Sequence, residues 1–223
     1  MFRVDPLALE AQLKKLDAPR PPRTELYTGL DFGSLQDPTA LSVVEMTEAT
    51  EGSKRVRRYD VRQLKRWPLR TGYSEIIADV VEMFAEPPLA DTVLLPDETG
   101  VGVAVIQLLF KAKPRAKIIP VCITGGQHSR AVHDPGRGWT VPKRELASAL
   151  QATLGTGRLR ISPGLPLAKE LAKELSTFKV KINIATGNES FEAWRAKDTD
   201  DVCLATAMPV WWGERFGRRL AVG

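Results

Sequence analysis

Three strands in direct succession, followed by a regular alternation of strand and helix, is the pattern that most narrows what this chain can fold into. The first strand covers about Leu26 to Phe32, where Leu26, Tyr27, Leu30 and Phe32 supply β-favouring bulk. Gly33, Ser34, Asp37 and Pro38 are turn residues, and Ala40 to Met46 resumes an apolar run as the second strand. A polar loop, Thr47 to Ser53, leads into a third strand from Lys54 to about Arg62, with Val56 and Val61 among charged residues. Sequential strands on short loops predict an antiparallel meander.

The period then changes. Tyr73 to Glu86 places Ile76, Ile77, Val80, Val81 and Phe84 at helical spacing with Ser74 in position to cap, and Pro87 and Pro88 end the helix. Thr92 to Pro96 is a short strand running into Asp97 and Glu98; a helix from about Val103 to Lys113 and a strand from Lys117 to Ile123 follow. Strand, helix, strand implies parallel pairing through right-handed crossovers. Thr124 to Thr140 reads as a long loop rich in Gly, His and Arg. Pro142 to Leu154 reads as a helix, Arg158 to Ser162 as a strand and Leu165 to Leu175 as a helix. Phe178 to Ile184 and Ser190 to Arg195 read as a hairpin around Thr186-Gly187-Asn188. The last helix runs from Asp200 to about Trp212, with acids in its first turn, where the helix dipole favours them, and Pro209 expected to kink it or end it early. Ahead of all this, residues 1–23 form an arm with a weak helical pattern and a proline-rich linker. Residues 24–223 form one domain: an α/β mixed sheet, strands 1–3 antiparallel and the rest parallel, flanked by helices.

Composition excludes more than it selects. The 223 residues suffice for one domain with a substantial core. No run approaches the roughly 20 apolar residues of a membrane span, and no secretory signal pattern opens the chain, so a cytoplasmic location is expected. Cys122 and Cys203 sit in apolar surroundings and read as buried thiols, and His128 and His133 lack a partner set of metal-ligand spacing. The net charge of +5 is compatible with a polyanion. The bases are clustered at Lys54, Arg55, Arg57 and Arg58; at Arg62, Lys65 and Arg66; at Lys143 and Arg144; and at Arg215, Arg218 and Arg219. A solvated face explains any one cluster, whereas several around one acidic site suit a phosphate backbone.

Four acids share a pattern. Asp31 ends the first strand, Asp97 ends the strand that begins the parallel unit, and Asp200 and Asp201 open the last helix. In an open α/β sheet, sites form at strand ends near helix termini, so these distant positions can meet. Two unit charges about 4 Å apart repel by roughly 4 kcal/mol at an effective dielectric near 20, so such a cluster persists only with protons or cations to neutralise it. Oxygen ligands without a Cys or His set suit Mg²⁺ or Mn²⁺. The plain alternative is a turn Asp, a strand-end Asp and a capped helix start.

The stretches GLDFGSLQDPTALSVVE, VLLPDETGVGVAVIQLL and DTDDVCLATAMPVWWG, in that order and spacing, resemble the nuclease domain of phage large terminase subunits, of the RNase H and RuvC-like superfamily. Weaker matches are LKRWPLRTGYSEI, WTVPKRELASAL and FKVKINIATGNESFEAW, and together they span nearly everything from Leu26 to Gly213. The resemblance implies a metal-dependent endonuclease that cuts concatemeric viral DNA during packaging by two-metal-ion phosphodiester hydrolysis. Asp31, Asp97 and one or both of Asp200 and Asp201 would hold the two Mg²⁺ or Mn²⁺ ions. Glu98 points to the opposite sheet face from its neighbour and is the weaker candidate. Double-stranded DNA is the implied substrate, held through phosphates by Lys65, Arg66, Lys143 and Arg144. A separate packaging ATPase, portal or small terminase subunit are the implied partners, in the host cytoplasm. A whole large terminase carries an ATPase motor ahead of its nuclease. No G-x-x-x-x-G-K-[ST] occurs in these residues, so a nuclease domain alone is expected, as a fragment or a separate gene product.

Two other readings compete. A RuvC-like junction nuclease would share the metal chemistry and differ in preferring branched DNA. An actin-like or sugar-kinase-type ATP-binding protein is suggested by GLDFG and by Ile123-Thr124-Gly125-Gly126, but needs two RNase H-like lobes where this chain holds one.

Overall fold

The computed structural model describes residues 22–33, 37–52, 54–99, 102–132, 138–185 and 200–217. Its core is a six-stranded sheet built outward from β1 (Arg23–Asp31). On one side β1 pairs antiparallel with β2 (Ala40–Glu51), and β2 with β3 (Lys54–Arg66). On the other side β4 (Thr92–Pro96) lies parallel to β1, and β5 (Ala116–Ile118) parallel to β4. A late strand, β9 (Leu159–Ile161), extends the β3 edge in parallel. Antiparallel meander, then parallel strands added beyond the first, is the mixed sheet of an RNase H-like α/β fold. A second sheet orders β6 (Val121–Thr124), β8 (Trp139–Pro142) and β7 (Arg130–Ala131).

Strand alternation sorts the side chains to two cores. Leu30, Phe32, Leu41, Val43 and Leu94 pack on one face with α1 (Tyr73–Met83) and α2 (Gly102–Ala112). Tyr27, Val44, Met46, Val93 and Leu95 pack on the other, with α3 (Lys143–Gly155), α4 (Ala168–Ala185) and α5 (Asp201–Phe216). Asp31 has the parity of Tyr27, and Asp97 that of Val93 and Leu95, so both acids belong to the α5 face.

Helix α5 sits directly on β1. A Cβ at Gly29 would lie 1.9 Å from the Ala205 carbonyl oxygen and 2.7 Å from Pro209 Cδ, a contact only glycine permits. The helix does not kink or stop at Pro209, contrary to the expectation from sequence; it runs on to Phe216. Its far end is clamped from the sheet. Arg57 Nη1 donates to the carbonyls of Gly213 and Glu214, both at 2.7 Å, and Arg158 and Tyr59 donate to the Glu214 carboxylate. That clamp and the close packing on Gly29 hold the helix where one missing N–H would loosen it.

Four further expectations need correction. The strand read from Lys117 to Ile123 is two, in different sheets, because Pro120 breaks the ladder and its carbonyl accepts the Trp139 N–H at 2.8 Å. The loop read from Thr124 to Thr140 contains β7 and the start of β8. Phe178 to Ile184, read as a strand from its alternation, continues α4: Leu171, Leu175 and Phe178 are buried at helical spacing, and tertiary packing overrides the local period. The rest of that hairpin, Thr186-Gly187-Asn188 and Ser190 to Arg195, lies outside the described residues, as do residues 1–21, His133, Arg218 and Arg219. Helix α1 is entered through Gly72 rather than capped by Ser74, which lies within its first turn.

Candidate active site

Asp31 is the last residue of β1, and Asp97 follows the parallel neighbour β4 by one residue. The Asp97 N–H donates to the Leu30 carbonyl at 2.8 Å, which locks the two strand ends together. Both acids are buried, at 9% and 8% exposure. The Asp97 Oδ1 accepts the Thr99 N–H at 2.8 Å and the Thr99 hydroxyl. Burial pushes the Asp31 carboxyl far above the usual carboxylate range, and the charges of Asp97, Asp200 and Asp201 push it further. Burial also raises Asp97, against the Thr99 hydrogen bonds. Both strand-end carboxyls are therefore pushed up by burial, Asp31 with the neighbouring acids adding to the effect.

The head of α5 brings the other two acids. Asp200 lies at the helix start and accepts Lys143 Nζ at 2.9 Å. Asp201, 4% exposed, is clasped by Arg66 from β3: Nε to Oδ2 at 2.7 Å and Nη2 to Oδ1 at 3.0 Å. Arg66 Nη2 also reaches Glu174 Oε1 at 2.5 Å, and Glu174 Oε2 accepts the Cys203 N–H at 2.8 Å. Burial and the Asp201 charge push the Glu174 carboxyl up to about 7. Burial raises Asp201 despite Arg66. It also lifts the Cys203 thiol well above its ordinary value, with Glu174 and Asp200 adding to the effect.

All four acids foreseen from sequence therefore lie at one end of the sheet, but they differ in company. Arg66 occupies both oxygens of Asp201, and Lys143 holds Asp200. Among the described residues no three His, Cys, Asp or Glu side chains converge closely enough to ring one ion. The donor chemistry nonetheless fits a hard divalent cation. Asp31, Asp97 and Asp200 are oxygen ligands, and the first two are buried against each other's charge.

The four basic residues expected to hold DNA are placed as follows. Lys65 pairs with Asp79 of α1 at 2.8 Å. Arg66 and Lys143 are drawn into the acidic cluster, and Arg144 is exposed and donates to the Gln127 carbonyl. The other basic clusters on β3 are largely spent within the fold, where Arg55 and Arg57 pair with Glu48, Arg58 with Glu51 and Arg62 with Glu45.

Sequence reasoning missed Glu174 and Thr99 and did not foresee that Lys143 and Arg66 pair with the acids. One signal for Glu174 was available. It stands three residues after Leu171 and four before Phe178, on the apolar stripe of α4, where an acid is costly without a partner. Arg66 had none, because its direction depends on a β-bulge. Val43 faces Gln63 but Val44 faces Val61, so Arg62 is an extra residue in β3. The bulge reverses parity beyond it, turning Arg66 to the acids and Lys65 to Asp79.

The six-stranded mixed sheet is that of an RNase H-like α/β fold, and acids stand at the ends of β1 and β4. No family model, curated protein or solved structure matches the chain. Among the described residues no helix is long and apolar enough to cross a membrane.

Proposed function

We propose that this chain is a divalent-metal-dependent endodeoxyribonuclease of the kind found in large terminase subunits, cutting concatemeric double-stranded DNA in the host cytoplasm. One observation carries the reading. Asp31, Asp97 and Asp200 come from three separate elements and lie within reach of one another's charge, two of them buried, at the end where β1 and β4 run parallel. Buried like charges are retained against a large cost, which a structural role does not require. Mg²⁺ or Mn²⁺ bound there supplies charge to activate water and stabilise the leaving oxygen of a phosphodiester. Asp31, Asp97 and Asp200 would hold the ions, with Thr99 fixing the Asp97 carboxylate. The fold leaves one rim basic. Strand β6 is tied to Asp97, because Thr99 Oγ1 accepts the Ile123 N–H at 2.7 Å; exposed Arg130 stands at the start of β7 and exposed Arg144 in the first turn of α3.

The test is cleavage of linear, supercoiled and four-way-junction DNA by wild type, Asp31→Asn and Asp97→Asn. Cutting that requires Mg²⁺ or Mn²⁺, stops in EDTA and falls by at least about 100-fold in both variants is expected. Wild-type cutting rates in the variants, or full activity in EDTA, refute the assignment. Cutting confined to junctions would reassign the chain to the RuvC-like class.

A further inference from the structure

Lys143 has an unusual position for a surface-type residue. It opens α3 directly after Pro142, the last residue of β8, so the backbone on both sides is fixed by secondary structure. Its side chain is 13% exposed, with Nζ 2.9 Å from Asp200 Oδ2 and 5.5 Å from the centre of the Phe178 ring. Its charge reaches Asp31 and Asp97 as well as Asp200. Five carboxylates gather here (Asp31, Asp97, Asp200, Asp201 and Glu174) against two bases, Lys143 and Arg66. Arg66 is committed to Asp201 and Glu174, and Lys143 alone of the two serves the Asp31, Asp97 and Asp200 side.

On the reading that this is a divalent-metal site, we propose that Lys143 is its tethered counter-cation: in the metal-free protein its ammonium neutralises Asp200 and its neighbours, and an entering divalent ion displaces it from Asp200. A lysine suits this task better than an arginine. Its ammonium is a compact point charge on a flexible stem that can swing aside, whereas a guanidinium fork such as that of Arg66 is held by two parallel bonds. Lys143 is then a positioning residue for the acids, and it does not contact phosphate.

The experiment is Lys143→Met, which keeps the apolar stem and removes the charge, read by thermal unfolding in EDTA and in saturating Mn²⁺, and by calorimetric Mn²⁺ titration. In EDTA the variant should melt lower by roughly 5–10 °C, because buried acids lose their partner. Saturating Mn²⁺ should close most of that gap, and Mn²⁺ should bind the variant about tenfold more tightly, because no ammonium opposes it. An equal melting deficit with and without Mn²⁺, or an unchanged or weaker Mn²⁺ affinity, overturns the proposal and leaves Lys143 a packing residue. Asp200→Asn and the Lys143→Met/Asp200→Asn pair complete a double-mutant cycle in EDTA, which needs no metal. The double variant should melt above Lys143→Met alone, and strictly additive effects overturn the counter-ion role. Wild type that binds no Mn²⁺ while the cycle shows coupling would sink the nuclease reading and the displacement step, yet uphold the neutralising ion pair.

Discussion

Asp31 sets burial against charge. Its carboxyl is out of water and feels the charge of three other acids, both of which disfavour its charged form. Asp31→Asn removes the conflict, and the metal-free variant should melt at or above the wild-type temperature while losing Mn²⁺ binding. A clear drop in stability would mean that the carboxylate is held by partners rather than endured. Glu174 gives a pH signature of the same kind. Its folded value of about 7 lies above its ordinary 4.5, so the folded state binds the extra proton. The stability this contributes is full below about pH 4.5 and is lost as pH rises through about 7. At about 1.4 kcal/mol for each tenfold change in proton affinity, the loss is on the order of 3 kcal/mol. Asp79, Glu145 and Glu214 are lowered and act oppositely, but only below the ordinary carboxylate range. Metal-free protein should therefore become less stable from pH 5 to pH 8, and Glu174→Gln should flatten that decline. Unfolding by urea at both pH values checks it, and an equal slope in the variant would reject the assignment.

At the scale of elements, α5 decides whether the site exists. It carries Asp200 and Asp201, and its distance from β1 is set by Gly29. Gly29→Ala would drive a methyl group to 1.9 Å from the Ala205 carbonyl, backbone that cannot rotate away. Overpacking of this kind costs about 1–3 kcal/mol or more. The variant should melt several degrees lower, and its Mn²⁺ affinity should fall although no acid has changed, because the helix head must shift. Intact affinity with reduced stability would show that the head is held independently, through Lys143 and Arg66. The aromatic contact of Trp139 with Trp211 and Phe216 ties the small sheet to the same helix, with ring centres 6.0 and 4.8 Å apart. Ser129 is bound in turn, its N–H donating to Glu145 Oε1 at 2.8 Å. Strand β7, which begins at Arg130, is thus anchored beside α3.

For the whole molecule, the net charge of +5 overstates how much positive surface is free, because most β3 bases are paired within the fold. DNA binding should then rest on a few exposed guanidiniums beside the acids. Arg130→Ala/Arg144→Ala should weaken binding to all duplex sequences alike and reduce the salt slope of log affinity by about 2, close to one per lost phosphate contact. Mn²⁺ binding should be untouched. A salt titration on several unrelated duplexes checks this, and an unchanged slope would remove both residues from the interface.

The meander, the strand–helix alternation and the four acids were legible from local pattern, because period, turn residues and a carboxylate at a strand end are properties of short segments. The antiparallel pairing of β1 to β3 and the parallel pairing of β4 and β5 followed, since sequential strands pair and crossovers have one hand. What local pattern could not decide was parity and partnership. One bulge at Arg62 sends Arg66 to the acids and Lys65 away from them. Packing of Leu171, Leu175 and Phe178 beside the neighbouring helices carries α4 past the point where its sequence begins to alternate, and packing on β1 carries α5 through Pro209. Charge in the sequence reads as surface charge by default. Only tertiary packing decides that Lys143, Arg66 and Glu174 leave water, because the desolvation cost of a charge is met by partners distant in the chain.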